Sequence, residues 1–379
     1  MTDLEPVVID DAGALEPYLA AWDRLAVAAG RPFCSPAWMV SWWCNGRTGD
    51  ARLRIVLAVD SAGELIGVGP FFAQVTSAGP IELAEYRLLA AGFSHRVGPL
   101  ARSGREQEVA GVIARGLAAA DPAPASIVFE GIDAGDRWPE LVAGAWPTGR
   151  TVIRTDVTMD APAIDLDGDY DAWMSRRDRK FRKEARRTMR RLEELGVRSR
   201  LAGDEAAVDA LVRLHDARWS DRGGSNLGPG AREVLLDALR RAEQDPDRLS
   251  IALLETDDGP IAAELVITAG PVLAFWAGGF EPGWASHAPG TQAMLTALGA
   301  APAEVRNVDL GGGAHEYKRR MADGDAPLVW RTVFPLTWRY PLIRLLLAPK
   351  HVRVVLRTWF RRLPDPAQQR IRRLLGAGA

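Results

Sequence analysis

Within fifteen residues, Asn307 to Met321 (NVDLGGGAHEYKRRM) bring together an aspartate, three glycines and a His-Glu-Tyr-Lys-Arg series. Four chemistries compete for such a run: a phosphate cradle, a metal site, the catalytic end of a strand, or an ordinary loop opening a helix. The glycines lack the spacing of a phosphate-binding loop, and His315 and Glu316 are adjacent rather than i, i+4 as a helical metal pair requires, so no metal is expected. Asp309 closes an apolar strand where α/β sites commonly open; it could orient a base or a substrate, or cap the Gly311–Gly313 turn. Lys318 and Arg319 could hold a carboxylate or phosphate, or belong to an exposed helical face. Upstream, Glu264 interrupts the apolar strand IAAELVIT, where a carboxylate is costly unless it is paired or open to a cleft. His215 lies on an apolar helical stripe and reads as a core histidine. Trp38, Trp42 and Trp43 could line a cleft, although helical aromatics more often pack a core.

These residues need elements to hold them. Ser35 followed by Pro36 in SPAWMVSWW predicts a helix start, with the serine as N-cap. Strands are expected at Arg54 to Val59, Leu65 to Gln74, near Leu83 to Leu89 and at Ser126 to Glu130, with a helix at Gln107 to Ala119. Phe181, Ala185, Met189, Leu192 and Leu195 recur three or four residues apart, which predicts one long amphipathic helix through DYDAWMSRRDRKFRKEARRTMRRLEELG, ended by Gly196. Two further helices follow, marked by Val208 to Trp219 and by AREVLLDALRRAEQ. Then come strands at Leu249 to Glu255, Ile261 to Thr268 and Val272 to Gly278, a helix from Pro289 to Ala300, a strand at Val305 to Leu310, and a helix from about His315. Leu53 to Gly67 and Leu249 to Ala263 share Leu, Ile, Leu and Gly at a constant offset, and both read as β-hairpins. That echo predicts a duplicated α/β unit, in which Glu264 corresponds to Val68.

Composition bounds the setting. A chain of 379 residues suffices for two domains, and a formal net charge of −2 says nothing about partners until the charge is located. It is located in two basic segments. RRDRKFRKEARRTMRR holds ten basic residues in sixteen, and the tail from Arg339 to Ala379 holds ten Arg or Lys against the single acid Asp365. The first reads as a nucleic-acid or phosphate surface or as a solvated helix face. The tail interleaves its charges with Leu, Ile, Trp359 and Phe360, which suits an anionic membrane surface or docking on the protein's own body. The acidic N-terminus does not read as a secretory signal, no run approaches a membrane span, and Cys34 and Cys44 are too few for a disulfide framework. A cytoplasmic protein, peripheral at the inner face of the membrane, is expected.

The second half resembles the GNAT acyltransferase family, and the whole chain resembles the double-GNAT proteins of the CelD/BcsL type, relatives of the FemAB aminoacyltransferases. The likeness is carried, in order, by SPAWMVSWW, KFRKEARRTMRRLEELG, LHDARW, FWAGGFEPGWASHAPGTQAMLTAL and DLGGGAHEYKRRM, over roughly Phe33 to Val333. It implies mixed α/β (α+β) sheets in two tandem GNAT-like domains, residues 1–165 and 166–338, with a basic helical tail at 339–379. It further implies N-acyl transfer from acyl-CoA, as co-substrate and without metal, to an amine of a small-molecule or cell-envelope precursor. In such folds the donor's pyrophosphate meets backbone N–H groups at a helix N-terminus, here Ala288, Pro289, Gly290, Thr291 and Gln292. Against the family's usual signature only Gly290 matches, with His287 and Gln292 at the flanking positions. Acyl transfer to an amine needs a base and an acid; the resemblance implies Tyr317 as the acid, with Glu264 as candidate base and Asp309 beside them. Trp38, Trp276, Lys318 and Arg319 are then the candidates for holding the acceptor. Transfer from aminoacyl-tRNA, with the basic helix touching tRNA, and a non-catalytic accessory role in polysaccharide synthesis are the alternatives.

Overall fold

A computed structural model describes residues 4–47, 49–78, 81–167, 169–220, 227–228, 230–242, 248–336 and 340. Apart from Tyr340, the basic tail lies outside the described residues. The two echoing segments are hairpins, as their alternation demands. β2 (Ala51–Val59) and β3 (Leu65–Ala78) form one, β10 (Leu249–Thr256) and β11 (Gly259–Ala269) the other, both antiparallel.

Each hairpin nucleates a sheet. The first runs β1 (Glu5–Ile9), β2, β3, β4 (Ile81–Leu88), β6 (Pro124–Asp133), β15 (Leu328–Pro335), β7 (Thr151–Met159), with β5 (Leu100–Ala101) beside β3. The second runs β14 (Gly324–Asp325), β8 (Pro162–Asp165), β13 (Asn307–Asp309), β12 (Val272–Phe280), β11, β10, β9 (Arg198–Ala202). Both are mostly antiparallel, with one parallel crossover each: α3 (Glu106–Ala118) joins β4 to its parallel neighbour β6, and α9 (Pro289–Gly299) joins β12 to β13. The expected mixed α/β fold class is therefore present.

Helix signals are read locally where side chains can cap. Ser35 Oγ accepts the Trp38 N–H to start α2 (Pro36–Asn45), and Asp204 accepts from Ala207 to start α7 (Glu205–Trp219). The same chemistry breaks the long amphipathic helix expected from residue 170 onward. Asp178 accepts the Phe181 N–H at 2.8 Å, so the chain turns extended at Arg177 and divides into α5 (Tyr170–Arg176) and α6 (Arg179–Glu194). Gly196, at φ +80°, closes α6 as its position predicts.

The expected division at residue 165 follows the chain but not the sheets. β8 belongs to the second sheet although it precedes that point, and β15 returns to the first sheet between β6 and β7. The sheets are also tied together by side chains. α2 packs on α8 (Ala231–Arg241), with Ser41 Oγ donating to Asp237 at 2.9 Å, and Arg248 forks onto Asp23 at 2.9 and 2.6 Å. Trp38, Phe93 and Trp276 form an aromatic seam with ring centroids 4.7–5.3 Å apart. Among the described residues no helix is long and apolar enough to cross a membrane.

Candidate active site

The site begins where two strands part. β12 and β13 pair in parallel only from Val272–Asn307 to Ala274–Asp309; beyond that, β12 continues from Phe275 to Phe280 with β11 alone on its other side. A bulge sits in this stretch, where Trp276 and Ala277 of β12 face the single residue Leu265 of β11. The splay thus leaves a wedge between the outer half of β12 and the Gly311–Gly313 turn that follows β13.

Glu264 lies on β11 directly opposite Gly278, beside this wedge. It is 8% exposed, and burial pushes its carboxyl up to about 7, with Arg218 and then Lys318 pulling the other way. Gly278 is what makes room for it: a Cβ there would overlap the Glu264 carboxylate, and one on Gly279 would overlap the backbone of α7 at Leu214 and His215. The paired glycines therefore let a helix and a buried acid approach the same strand from different directions.

That close approach delivers Arg218, a residue the sequence reading passed over inside LHDARW. Its Nη1 donates to the Gly278 carbonyl at 3.1 Å, and its charge faces the Tyr317 hydroxyl, Glu264, Lys318 and His215. Its Nε is buried and has no partner among the described residues. The only advance signal was its place in the last turn of α7; its role depends on a contact between α7 and β12 that no local pattern encodes.

Tyr317 and Lys318 enter from α10 (Glu316–Met321). Tyr317 is half-buried; burial raises its hydroxyl pKa first, Glu264 adds to this, and Arg218 opposes it. Lys318 is buried, its ammonium pKa lowered by burial against the pull of Glu264 and Asp309, and its Nζ donates to the carbonyls of Gly311 and Gly312 at 3.2 and 3.1 Å. Lys318 thus fastens the glycine turn at the mouth of the wedge. Glu264, Arg218, Tyr317 and Lys318 form one cluster of mutually interacting charges and hydroxyl.

Other expected site residues fall elsewhere. Both Asp309 oxygens are engaged, one with Arg96 Nε at 2.7 Å and one with the Gly311 N–H at 2.9 Å. This favours the turn-capping role over the orienting one, and adds an ion pair to the first sheet, since Arg96 also meets Asp133 and the Ala326 carbonyl. Trp38 is corrected outright: at 1% exposure, with Nε1 on Ser94 Oγ at 2.9 Å, it offers no face to an acceptor. Trp276 is half-buried, its indole N–H donating to the Phe93 carbonyl at 2.8 Å. Arg319 is exposed. His215 is buried in α7, where desolvation and then Arg218 push its pKa down to about 4, so the imidazole is neutral at physiological pH.

The helix N-terminus expected to hold a pyrophosphate carries no side-chain cap. Ala288 takes a left-handed conformation (φ +45°), and Pro289 opens α9. The Gly290 and Thr291 N–H groups therefore point out of an uncapped helix end whose dipole favours an anion, with Phe280 lying against Gly290. Gln292 is buried, and its N–H is taken by the Ala288 carbonyl. Cavities of about 550 Å³ beside Trp43 and Arg47, and of about 380 Å³ beside Leu239 and Ala301, contain none of these groups. The reactive side chains sit beside the wedge instead.

Comparison with known proteins agrees with this fold. Residues 179–319 match the acetyltransferase (GNAT) domain family. The crystal structure of FemX superposes with a TM-score of 0.62 at 11% identity, covering 90% of this chain and 99% of that one. L-PGS from Bacillus licheniformis superposes at 0.50 with 13% identity, covering 90% and 96%. The C-terminal domain of a protein from Agrobacterium fabrum named as a lysylphosphatidylglycerol synthetase gives 0.51 at 10% identity, covering 88% and 96%. No curated relative matches the sequence.

Proposed function

The chain has a FemAB-like double-GNAT fold with an acetyltransferase-type domain at residues 179–319, and on that premise we propose that it is an N-acyltransferase acting in the wedge between β12 and β13. The donor is an acyl-CoA and the acceptor an amine of a small-molecule or cell-envelope precursor. The observation that carries this reading is the pairing of a buried carboxyl poised near neutrality, Glu264, with the Tyr317 hydroxyl, beside the open edge of a splayed strand.

Each group has a task that follows from its surroundings. The Gly290 and Thr291 N–H groups hold the donor's pyrophosphate at the start of α9. The thioester supplies an activated acyl carbonyl, whose polarisation falls to donors on the exposed edge of β12. Glu264, once ionised, takes a proton from the attacking ammonium or amine, directly or through water. Tyr317 gives its proton to the departing sulfur, and Arg218, whose charge faces the hydroxyl, stabilises the charge left on the phenol. Lys318 holds the turn that walls the wedge.

Calorimetric titration with acetyl-CoA and longer acyl-CoAs tests the donor. Binding that weakens several- to tenfold in Thr291→Glu is expected; the absence of binding to every acyl-CoA overturns the CoA reading. Protection of aminoacyl-tRNA from hydrolysis in its place would move the donor to that class. The fold of FemX is what keeps that second arm in the experiment.

A further inference from the structure

α6 packs its apolar stripe inward and leaves its charge unanswered. Phe181, Ala185 and Leu192 are buried, and at about 100° per residue Arg179, Lys183, Arg186, Arg187 and Arg190 fall on the opposite side, all exposed. None of these five forms an ion pair among the described residues. Glu184, the one acid in the middle of the helix, is spent on Arg320 at 2.6 Å. The neighbouring edge strand shows how this surface looks when charge is compensated: on β9, Arg198 pairs with Asp257 and Arg200 with Glu255. Unpaired like charges five deep along one helix repel each other by a few tenths of a kcal/mol per close pair, so their retention without partners calls for an external anion.

We propose that this face of α6 docks the protein on an anionic lipid surface. Two observations separate a bilayer from an RNA backbone. Leu195, which caps the C-terminal end of α6, is 50% exposed, and a lipid interface accepts such an apolar side chain near charged ones. The exposed face carries no aromatic side chain on which a base could stack, the aromatic of this helix, Phe181, being buried. The position also has a consequence for the site. α6 contacts α9, and through Glu184–Arg320 and the Arg320–Phe181 stack at 5.4 Å it holds α10, which carries Tyr317 and Lys318. α6 would therefore stand between such a membrane and the helices that frame the wedge. The inference does not depend on the acyl-transfer reading, and it concerns a segment of the sequence other than the basic tail.

The test is co-sedimentation of the full chain with phosphatidylglycerol–phosphatidylcholine vesicles and with phosphatidylcholine vesicles alone. Salt-sensitive binding to the first only is expected. Each basic residue near such a surface contributes about 1 kcal/mol, so reversing Lys183, Arg186, Arg187 and Arg190 to Glu should weaken partitioning by roughly a hundredfold or more. Neutralising the same four to Gln should give a smaller, graded loss, which keeps the test decisive if the reversed variant folds poorly. Leu195→Ser should cost a further severalfold. Unchanged partitioning in the Gln series overturns the proposal and leaves any vesicle binding to the tail. Loss of RNA affinity in that series, with vesicle binding and the Leu195→Ser variant unaffected, overturns it in favour of a nucleic-acid surface.

Discussion

The hairpins β2–β3 and β10–β11 occupy equivalent places in their sheets, each followed by a strand, a helix and a parallel neighbour, yet their surroundings have been put to opposite uses. Where β11 carries Glu264, β3 carries Val68, fully buried and paired with Leu100 of the extra strand β5. β4 and β6 remain paired from Ala84 to Arg87, whereas β12 and β13 part after Ala274 and Asp309. The crossover helices differ in the same sense. α3 has Glu106 and Glu108 in its first turn, which already answer its dipole and would repel a phosphate; α9 begins Pro-Gly-Thr-Gln with no acid and no cap. A duplicated frame thus supplies one half that is filled and one that is opened. The difference lies in a handful of side chains rather than in topology.

Substitutions that exchange features between the halves measure that difference. The largest effect is expected from Gly279→Val, because its side chain would enter the backbone of α7 at Leu214 and His215; loss of a cooperative thermal transition, or of soluble protein, is the expected outcome. Making the second half resemble the first at the chemical position, Glu264→Gln should lower the transfer rate roughly 10²–10⁴-fold and remove the ionisation near pH 7 from its profile. Because the folded-state pKa of Glu264 lies above its ordinary 4.5, the folded protein holds a proton that the unfolded chain releases. Its stabilising contribution is complete below about 4.5 and declines as pH rises to about 7. Melting curves should therefore show Glu264→Gln matching or exceeding the parent's stability above neutrality even as it loses activity.

Cutting the tie between the halves comes next. Arg96→Ala strands Asp309 in a buried position, and breaking such a pair typically costs about 3–5 kcal/mol, readable in urea unfolding. His215 supplies a pH dependence of opposite sign. Its folded pKa of about 4 lies below the ordinary 6.5, so its contribution is present above 6.5 and lost as pH falls towards 4. His215→Gln should flatten that acid limb in a melting-temperature series. The smallest effect should follow from giving α9 the acidic first turn of α3. Thr291→Glu adds repulsion of about 1 kcal/mol at the helix end, so acyl-CoA affinity should fall several- to tenfold in the calorimeter while stability hardly changes.

Much of the frame was legible along the chain. The hairpin echo, the Ser35 and Pro36 start, the Gly196 stop and the Pro289 helix all depend on residues within a few positions of one another. The split between α5 and α6 was written there too, in Asp178, but the continuous apolar spacing on both sides masked a cap that competes with helix continuation. Of the site, Glu264 stood out because a carboxylate in an apolar strand conflicts with its surroundings. Arg218 did not stand out, because arginine near the end of an amphipathic helix is ordinary until Gly279 lets that helix descend onto β12. Trp38 misled for the converse reason: an aromatic on a helix has the same pattern whether it faces a cleft or, as here, Phe33, Phe93 and Trp276.

By itself the sequence determined the local elements, the duplicated hairpins, the acid out of place at Glu264 and the concentration of positive charge on α6, because capping, periodicity and composition act over short range. Only the tertiary structure decided that β15 rejoins the first sheet, that Asp309 is engaged by Arg96, and that Glu264, Arg218, Tyr317 and Lys318 share one wedge. Those outcomes depend on the space left by Gly278 and Gly279 and on the parting of β12 from β13, which are properties of packed elements and not of any single one.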